Sequence, residues 1–268
     1  MAYQILVSHE SPISILDYSV AYNDYDYALV HLFDTHPEYY NFFKKSVAQG
    51  RQVLLDNSIF ELGVAFDSDK FANYINELKP NYYIVPDVLE DGYATIKSFV
   101  EFKKKYPSLP GAAIGAVQGR SYDEIVDCYK YMSQYADYIA ISFDFTYYLV
   151  TGRGDTKLKR WCTGRQGLIK DLVSDGIWNW EKPHHLLGCS LPQEFRYYAD
   201  GDLSNIRSCD TSNPVVAGIK GLRYNGDLGL NTKPSQKLIE LIDHKVSEEE
   251  LNNIMYNVGQ FKKIIRSY

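Results

Sequence analysis

Four polar side chains in this 268-residue chain stand directly after short apolar runs. Asp56 follows Gln52–Leu55, Asp87 follows Tyr82–Pro86 (with Pro86 its immediate neighbour), Gln118 follows Ala112–Val117 and Asp210 follows Asn205–Cys209. A single Asp in such a place commonly caps a helix or forms a turn, accepting a backbone N–H. Four polar groups at successive run ends are harder to explain by packing, and they form a candidate site. Paired carboxylates suit cleavage of a glycosidic bond: one attacks the anomeric carbon while the other manages the leaving group's proton. A further Asp and a Gln suit recognition of a flat heterocycle, because an acceptor-only carboxylate matches adjacent N–H donors. Metal chemistry is the competing use of clustered Asp. It usually recruits His, and the His residues near these run ends are His184 and His185, before Leu186.

Side chains at separated points of the sequence need elements that bring them together. Strands are expected at Gln4–Ser8, Tyr27–Leu32, Gln52–Leu55, Tyr82–Pro86, Ala112–Val117, Tyr138–Ile141, His185–Gly188 and Asn205–Cys209. Amphipathic or capped segments predict helices at Pro37–Ala48, Asp67–Leu78, Glu90–Tyr106, Ser121–Tyr135, Leu158–Asp175, Pro192–Ala199, Pro234–Ile242 and Glu248–Ile265. Eight strands alternating with helices imply a parallel sheet closed into a single (β/α)₈ TIM-type barrel over residues 1–268, with a terminal helix at 247–268. An open doubly wound sheet is the rival fold. It normally carries a Gly-rich phosphate turn after its first strand, where this chain has Ser8-His9-Glu10-Ser11-Pro12. In a barrel, catalytic groups come from the C-terminal ends of different strands, which is where Asp56, Asp87, Gln118, Ser142, Gly188 and Asp210 stand. Residues 1–48 suggest no role.

The net charge of −6 argues against sequence-independent binding of nucleic acid over the whole surface. One segment departs from this balance. Thr151–Lys170, an expected basic loop insertion between the sixth and seventh strands, holds Arg153, Lys157, Lys159, Arg160, Arg165 and Lys170 against Asp155 alone, with Trp161 and four glycines among them. It reads either as a solvated loop and helix or as a clamp on a phosphate backbone. The 24 tyrosines read as side chains at core edges that still reach a polar partner. Cys128, Cys162, Cys189 and Cys209 are scattered, without C-x-x-C spacing, so neither a disulfide framework nor a metal or other cofactor is expected. No apolar run approaches the roughly 20 residues of a membrane span, and the start lacks a signal-peptide pattern. A cytoplasmic protein is expected.

The joint order of these motifs resembles the tRNA-guanine transglycosylases from about Gln52 to Gly218. Asp56-Asn57-Ser58-Ile59-Phe60-Glu61 is similar to their D-S-G-G-F-Q segment, and Val117-Gln118-Gly119 to V-Q-G-G. His185-Leu186-Leu187-Gly188 resembles the strand ending in L-M-G-V-G, and Cys209-Asp210-Thr211-Ser212-Asn213-Pro214 the nucleophile region D-C-V-x-P-T-R. The resemblance implies Asp210 as the nucleophile at the sugar C1′ and Asp56 as the general acid/base. It implies Phe60 stacking on the base, Asp87 and Gln118 bonding its edge, and Ser142 and Gly188 lining the pocket. The family's zinc motif, C-x-C-x-x-C with a distant His, is absent, and Ser58 and Ile59 replace its first Gly pair. In this it is similar to small zinc-free relatives, from phages and genomic islands, that exchange guanine in DNA for a 7-deazaguanine. The implied partners are therefore DNA, in preference to tRNA, and a free purine or 7-deazapurine base of the preQ0 type. Arg153, Lys157, Lys159, Arg160 and Arg165 are the expected nucleic-acid contacts. The same chemistry on free nucleosides or nucleotides, and a catalytically silent binding barrel, are the alternatives.

Overall fold

A computed structural model describes residues 4–143, 146–189, 191–200, 203–225 and 237–267. Eight strands alternate with helices: β1 (Leu6–Ser8), α1 (Leu16–Tyr22), β2 (Asp26–Leu29), α2 (His31–Thr35), α3 (Pro37–Ala48), β3 (Val53–Asp56), α4 (Ile59–Leu62), α5 (Ser68–Leu78) and β4 (Tyr82–Ile84). The series continues with α6 (Gly92–Lys105), β5 (Ala112–Val117), α7 (Tyr122–Tyr135), β6 (Tyr138–Ile141), α8 (Thr146–Thr151), α9 (Lys157–Ser174) and β7 (His184–Leu186). It ends with α10 (Glu194–Asp200), β8 (Ile206–Asp210), α11 (Asn213–Ile219) and α12 (Glu248–Ile265). All pairings are parallel, in the order β1-β8-β7-β6-β5-β4-β3-β2. The chain forms a nearly closed (β/α)₈ barrel.

The helices start where short polar side chains satisfy the first free N–H groups. Asp67 accepts from Lys70 N at 2.9 Å, Asp91 from Ala94 N at 2.8 Å and Thr156 from Lys159 N at 3.2 Å. Ser121 caps α7, but Glu124 turns away from the reciprocal half of a capping box. Its carboxylate accepts from Gly92 N (2.7 Å) and Arg120 N (2.9 Å), tying the start of α6 to that of α7. The complete box is at α12, between Ser247 and Glu250.

Two expectations change. Thr151–Lys170 is no loop insertion: from Lys157 onward it is α9, the crossover helix between β6 and β7. Two of its glycines serve packing, since a Cβ on Gly152 would lie 1.8 Å from Arg160 O and one on Gly164 2.6 Å from Tyr148 Cα. The helix expected at Pro234–Ile242 is a 3₁₀ turn, Leu238–Leu241, with 234–236 outside the described residues. Its Leu238 and Leu241, three apart, share one buried side.

The barrel has one seam, between β1 and β2, where side chains replace the ladder among the described residues. Asp24 N donates to Val7 O (3.0 Å), Val7 N to Asp24 Oδ2 (2.9 Å), His9 N to Asn23 Oδ1 (2.7 Å), and Asn23 Nδ2 to His9 O (3.1 Å). Lys262 and Arg266, at the end of α12, each reach Asp24 at 2.8 Å. The terminal helix thus closes the barrel through one carboxylate. Burial would raise the Asp24 pKa, but Lys262, the Val7 N–H and Arg266 together hold it below the usual carboxylate range. A depressed carboxylate pKa adds stability that is complete above the unfolded-state value and disappears as pH falls through the folded one. Asp24→Ala should cost about 1–2 kcal/mol at pH 7, and urea melts should show the gap to wild type closing as the medium is acidified.

Candidate active site

Parallel register places the C-terminal end of every strand on one rim. A cavity of about 520 Å³ opens there, and Asp56, Phe60, Asp87, Gln118, Ser142, Gly188 and Asp210 all line it. The residues read from the sequence as a site are therefore brought together. Of the basic residues, Lys157 lines the cavity too, whereas Arg153, Lys159, Arg160 and Arg165 are not in its wall.

Asp210 ends β8 opposite Ser8 of β1. Its Oδ1 accepts from Gly188 N at 3.0 Å and bonds to His185 Nε2 at 3.1 Å, while Oδ2 has no hydrogen bond among the described residues. A shift of register at His184/His185 pairs His185 with Ser208, which lets one imidazole span Ser208 and Asp210 on the inward face. Its Nδ1 lies 2.9 Å from Ser208 Oγ, which lies 3.1 Å from Tyr138 Oη. With a proton on Nε2 the imidazole donates to Asp210, and its Nδ1 is within hydrogen-bond reach of the Ser208 hydroxyl. Tyr27 stacks on the ring at 6.2 Å. His184 faces the other way, stacked 3.9 Å from Trp178, and burial lowers its pKa to about 3. Among the described residues no group of three or more His, Cys, Asp or Glu side chains is placed to hold a metal ion.

Asp56 ends β3, buried, with Oδ2 accepting from Ser58 N at 2.9 Å. Ser58 holds the left-handed backbone (φ 61°) needed to turn that N–H back. Burial pushes the Asp56 pKa well above the carboxylate range, and repulsion from Glu61, Asp87 and Asp210 pushes the same way against the Ser58 hydrogen bond. Its surroundings favour the protonated form. Asp87 solves the same problem with partners: Oδ1 accepts from Asn57 Nδ2 (2.8 Å) and Oδ2 from Gln118 Nε2 (2.7 Å). Burial still raises its pKa, opposed by these two bonds. Gln118 Oε1 in turn accepts from Glu90 N at 2.9 Å. The pair expected to read a heterocycle is thus already hydrogen-bonded within the protein. What remains to it is the second amide hydrogen of Gln118 and the spare lone pairs of Asp87.

Ser142 spends its hydroxyl hydrogen on Val117 O at 3.3 Å. The backbone of Gly188 is taken on both sides, by Asp210 and by Arg165. Phe60 is 43% exposed, with Lys237 Nζ 4.4 Å from its ring centroid. Across the mouth, Lys157 Nζ lies 4.4 Å from the ring of Trp161, whose indole nitrogen is buried without a partner among the described residues.

Arg165 corrects the nucleic-acid expectation. It is fully buried, forked onto Glu194 at 2.7 and 2.9 Å, and unavailable to phosphate. Lys159 pairs with Asp155 at 2.8 Å, and Arg160 Nε donates to Gly154 O at 3.2 Å. Sequence reasoning missed His185, Glu10, Glu61, Tyr27 and Lys237, which line the cavity or hold its wall. Glu10 had a legible signal, since it follows the first strand as Asp87 follows the fourth. His185 had none, because its role depends on the register shift.

No family model and no curated protein matches the chain. Among solved structures it is similar to 2,3-dimethylmalate lyase, a PEP mutase/isocitrate lyase superfamily member, with a TM-score of 0.46, 11% identity, and coverage of 99% of this chain and 94% of that one. It is also similar to the biosynthetic arginine decarboxylase SpeA from Campylobacter jejuni, with a TM-score of 0.39 and 11% identity over 94% of this chain and 57% of that one. Likenesses this distant concern the barrel scaffold, and the site has to be read from its own chemistry.

A carboxyl whose pKa is raised binds a proton in the folded state that the unfolded chain has lost. Stability therefore declines as pH rises from the unfolded value toward the folded one. Asp56→Asn keeps the acceptor for Ser58 N and removes this cost. Its melting temperature should exceed wild type at pH 8 and approach it near pH 5. A variant no more stable than wild type at pH 8 would show that Asp56 is ionised.

Proposed function

We propose that the chain is a base-exchange glycosyltransferase that replaces guanine in DNA with a 7-deazaguanine through a covalent Asp210–sugar intermediate. The observation that carries this reading is the pairing of two unlike carboxyl groups in one nucleoside-sized cavity. Asp210 is a hydrogen-bonded acceptor with one oxygen left over, and Asp56 is a buried carboxyl pushed toward its protonated form. A carboxyl group with one oxygen free of hydrogen bonds, beside a second that burial pushes toward its protonated form, suits the roles of nucleophile and general acid.

The chemistry follows as a double displacement. Asp210 Oδ2 attacks C1′ from the face opposite the base, and the C1′–N9 bond electrons leave with guanine, which takes its proton from Asp56. The sugar is then an ester of Asp210. An incoming deazaguanine gives its N9 proton to the Asp56 carboxylate and attacks C1′, expelling Asp210 as carboxylate. Two inversions give net retention. Phe60 offers a face for the base, while Asp87 and Gln118 offer their remaining hydrogen-bond capacity to its edge. A cavity of about 520 Å³ takes a nucleotide and not a duplex, so the target is flipped out or single-stranded. Arg153, Lys157, Lys159 and Arg160 are the phosphate contacts in this reading, without Arg165. The missing zinc motif favours DNA over tRNA.

One observation favours a second reading, the same chemistry on free nucleotides: Lys157, an expected phosphate contact, lines the cavity itself. Mass spectrometry of nucleosides from DNA and tRNA of cells that express the protein and are supplied with a deazaguanine separates the readings. Modified deoxynucleoside in DNA is expected. Modified nucleosides confined to the free pool would favour the second reading.

Asp210→Ala should abolish exchange and covalent trapping. Near-wild-type exchange by Asp210→Asn would refute the nucleophile. Replacing Lys157, Lys159 and Arg160 together by Ala should weaken DNA binding and flatten the log–log salt slope by roughly 2. Unchanged affinity would remove α9 from the interface.

A further inference from the structure

Arg165 lies beneath the cavity floor with every side-chain nitrogen engaged. Nε and Nη2 form a fork onto Glu194 at 2.7 and 2.9 Å, Nη1 donates to Leu187 O at 2.9 Å, and Nη2 also donates to Gly188 O at 2.9 Å. Its guanidinium carbon sits 4.7 Å from the ring centroid of Phe143, which lines the cavity. Glu194 is completed by the hydroxyl of Tyr198 on Oε1 and by Cys189 Sγ at 3.9 Å on Oε2. A fully desolvated pair of this kind is weak evidence for stability, because the Coulomb attraction does little more than offset the loss of hydration. Apolar packing would hold α9 to the end of β7 as well. The informative feature is where the guanidinium points.

The Leu187 carbonyl and the Gly188 N–H belong to the same planar peptide unit. The carbonyl end accepts from Arg165, and the N–H end donates to Asp210 Oδ1 at 3.0 Å. A cation on the oxygen of an amide draws electron density through the conjugated unit and strengthens the opposite N–H as a donor. Planarity also makes orientation common to both ends, so fixing the oxygen fixes the N–H. Gly188 takes a left-handed backbone (φ 60°) to present this arrangement, and its own carbonyl is held by the same guanidinium.

We propose that Arg165 is a positioning residue for Asp210, acting through the Leu187–Gly188 peptide, which it orients and polarises so that the Gly188 N–H steadies the Asp210 carboxylate. The inference rests on the reading of Asp210 as a nucleophile. In that chemistry the carboxylate is consumed when C1′ is attacked and regenerated when the second base displaces it. A stronger donor on Oδ1 makes Asp210 a better leaving group in the second step and keeps Oδ2 aimed in the first. The basic residue that the sequence suggested for phosphate thus serves the reacting carboxylate from behind.

Two variants separate positioning from mere folding. Arg165→Lys keeps a cation opposite Glu194 but lacks the fork that reaches both carbonyls. Arg165→Met with Glu194→Gln removes both charges, leaving no buried carboxylate unpaired and keeping an acceptor for Tyr198. Both should fold, with KM for the incoming base within about threefold of wild type and kcat lowered roughly 10–100-fold, the range expected when one donor to a reacting oxygen is weakened. In ¹H–¹⁵N spectra the Gly188 amide proton should move upfield in both. A folded double variant with wild-type kcat and an unmoved Gly188 amide overturns the proposal. Should wild type exchange no base at all, the enzymatic reading fails, and the Gly188 amide decides by itself whether Arg165 acts through the peptide. Should both variants unfold, Glu194→Gln alone, which loosens the guanidinium, is expected to shift the same amide, and no shift there overturns the proposal.

Discussion

A carboxyl group withdrawn from water must either find donors or keep its proton, and the mouth of this barrel is built around that choice. Three aspartates stand within one cavity and resolve it differently. Asp210 receives the Gly188 N–H and His185 Nε2 on a single oxygen. Asp87 receives one side-chain amide on each oxygen. Asp56 has one backbone donor, with Glu61, Asp87 and Asp210 for neighbours, and is pushed toward its protonated form. Burial raises the pKa of both Asp56 and Asp87, and it is their donors that set them apart, two side-chain amides on Asp87 against one backbone N–H on Asp56. Repulsion from Glu61 adds to the burden on Asp56.

The barrel makes such crowding possible. Parallel register sends the ends of all strands to one rim, and side-chain alternation points every second residue inward. The interior below is unusually polar for a barrel core. Tyr25 donates to Cys209 O at 2.8 Å, Tyr138 meets Ser208, and His185 is stacked against Tyr27. This explains part of the tyrosine abundance, since a phenol fills the space of an apolar ring and also carries a partner for the polar groups above it. The chain of contacts Tyr138–Ser208–His185–Asp210 runs from the middle of the barrel to its mouth. The site is held from below as well as from its sides.

The basic segment shows how composition misleads when geometry is missing. The basic residues suggested a clamp on phosphate, yet Gly152 and Gly164 among them are small because α8 and α9 approach too closely for a Cβ. Arg165 suggested a surface cation, yet it is the buried fork joining the ends of β6 and β7. Its counter-charge, Glu194, lies 29 residues away in sequence. Local charge counting places such an arginine in solvent, because the partner that permits its burial arrives only with the fold.

The amino-acid sequence by itself determined the alternation of eight strands with helices, the starts of α5, α6, α7, α9 and α12 through their capping side chains, and the polar residues at strand ends. These are local properties: periodicity, a capping oxygen and a position relative to an apolar run are all written within a few residues. The bounds of β5 and β6 and the ends of β3 and β8 could therefore be anticipated, and with a closed barrel the meeting of Asp56, Asp87, Gln118 and Asp210. Only the tertiary structure decided the rest. The register shift that aims His185 at Asp210, the side-chain seam that Asp24 and α12 close, the 3₁₀ turn at Leu238–Leu241 and the burial of Arg165 all arise from contacts between distant segments. Such contacts have no energy until the chain has already brought both partners out of water, so no short window of sequence contains them.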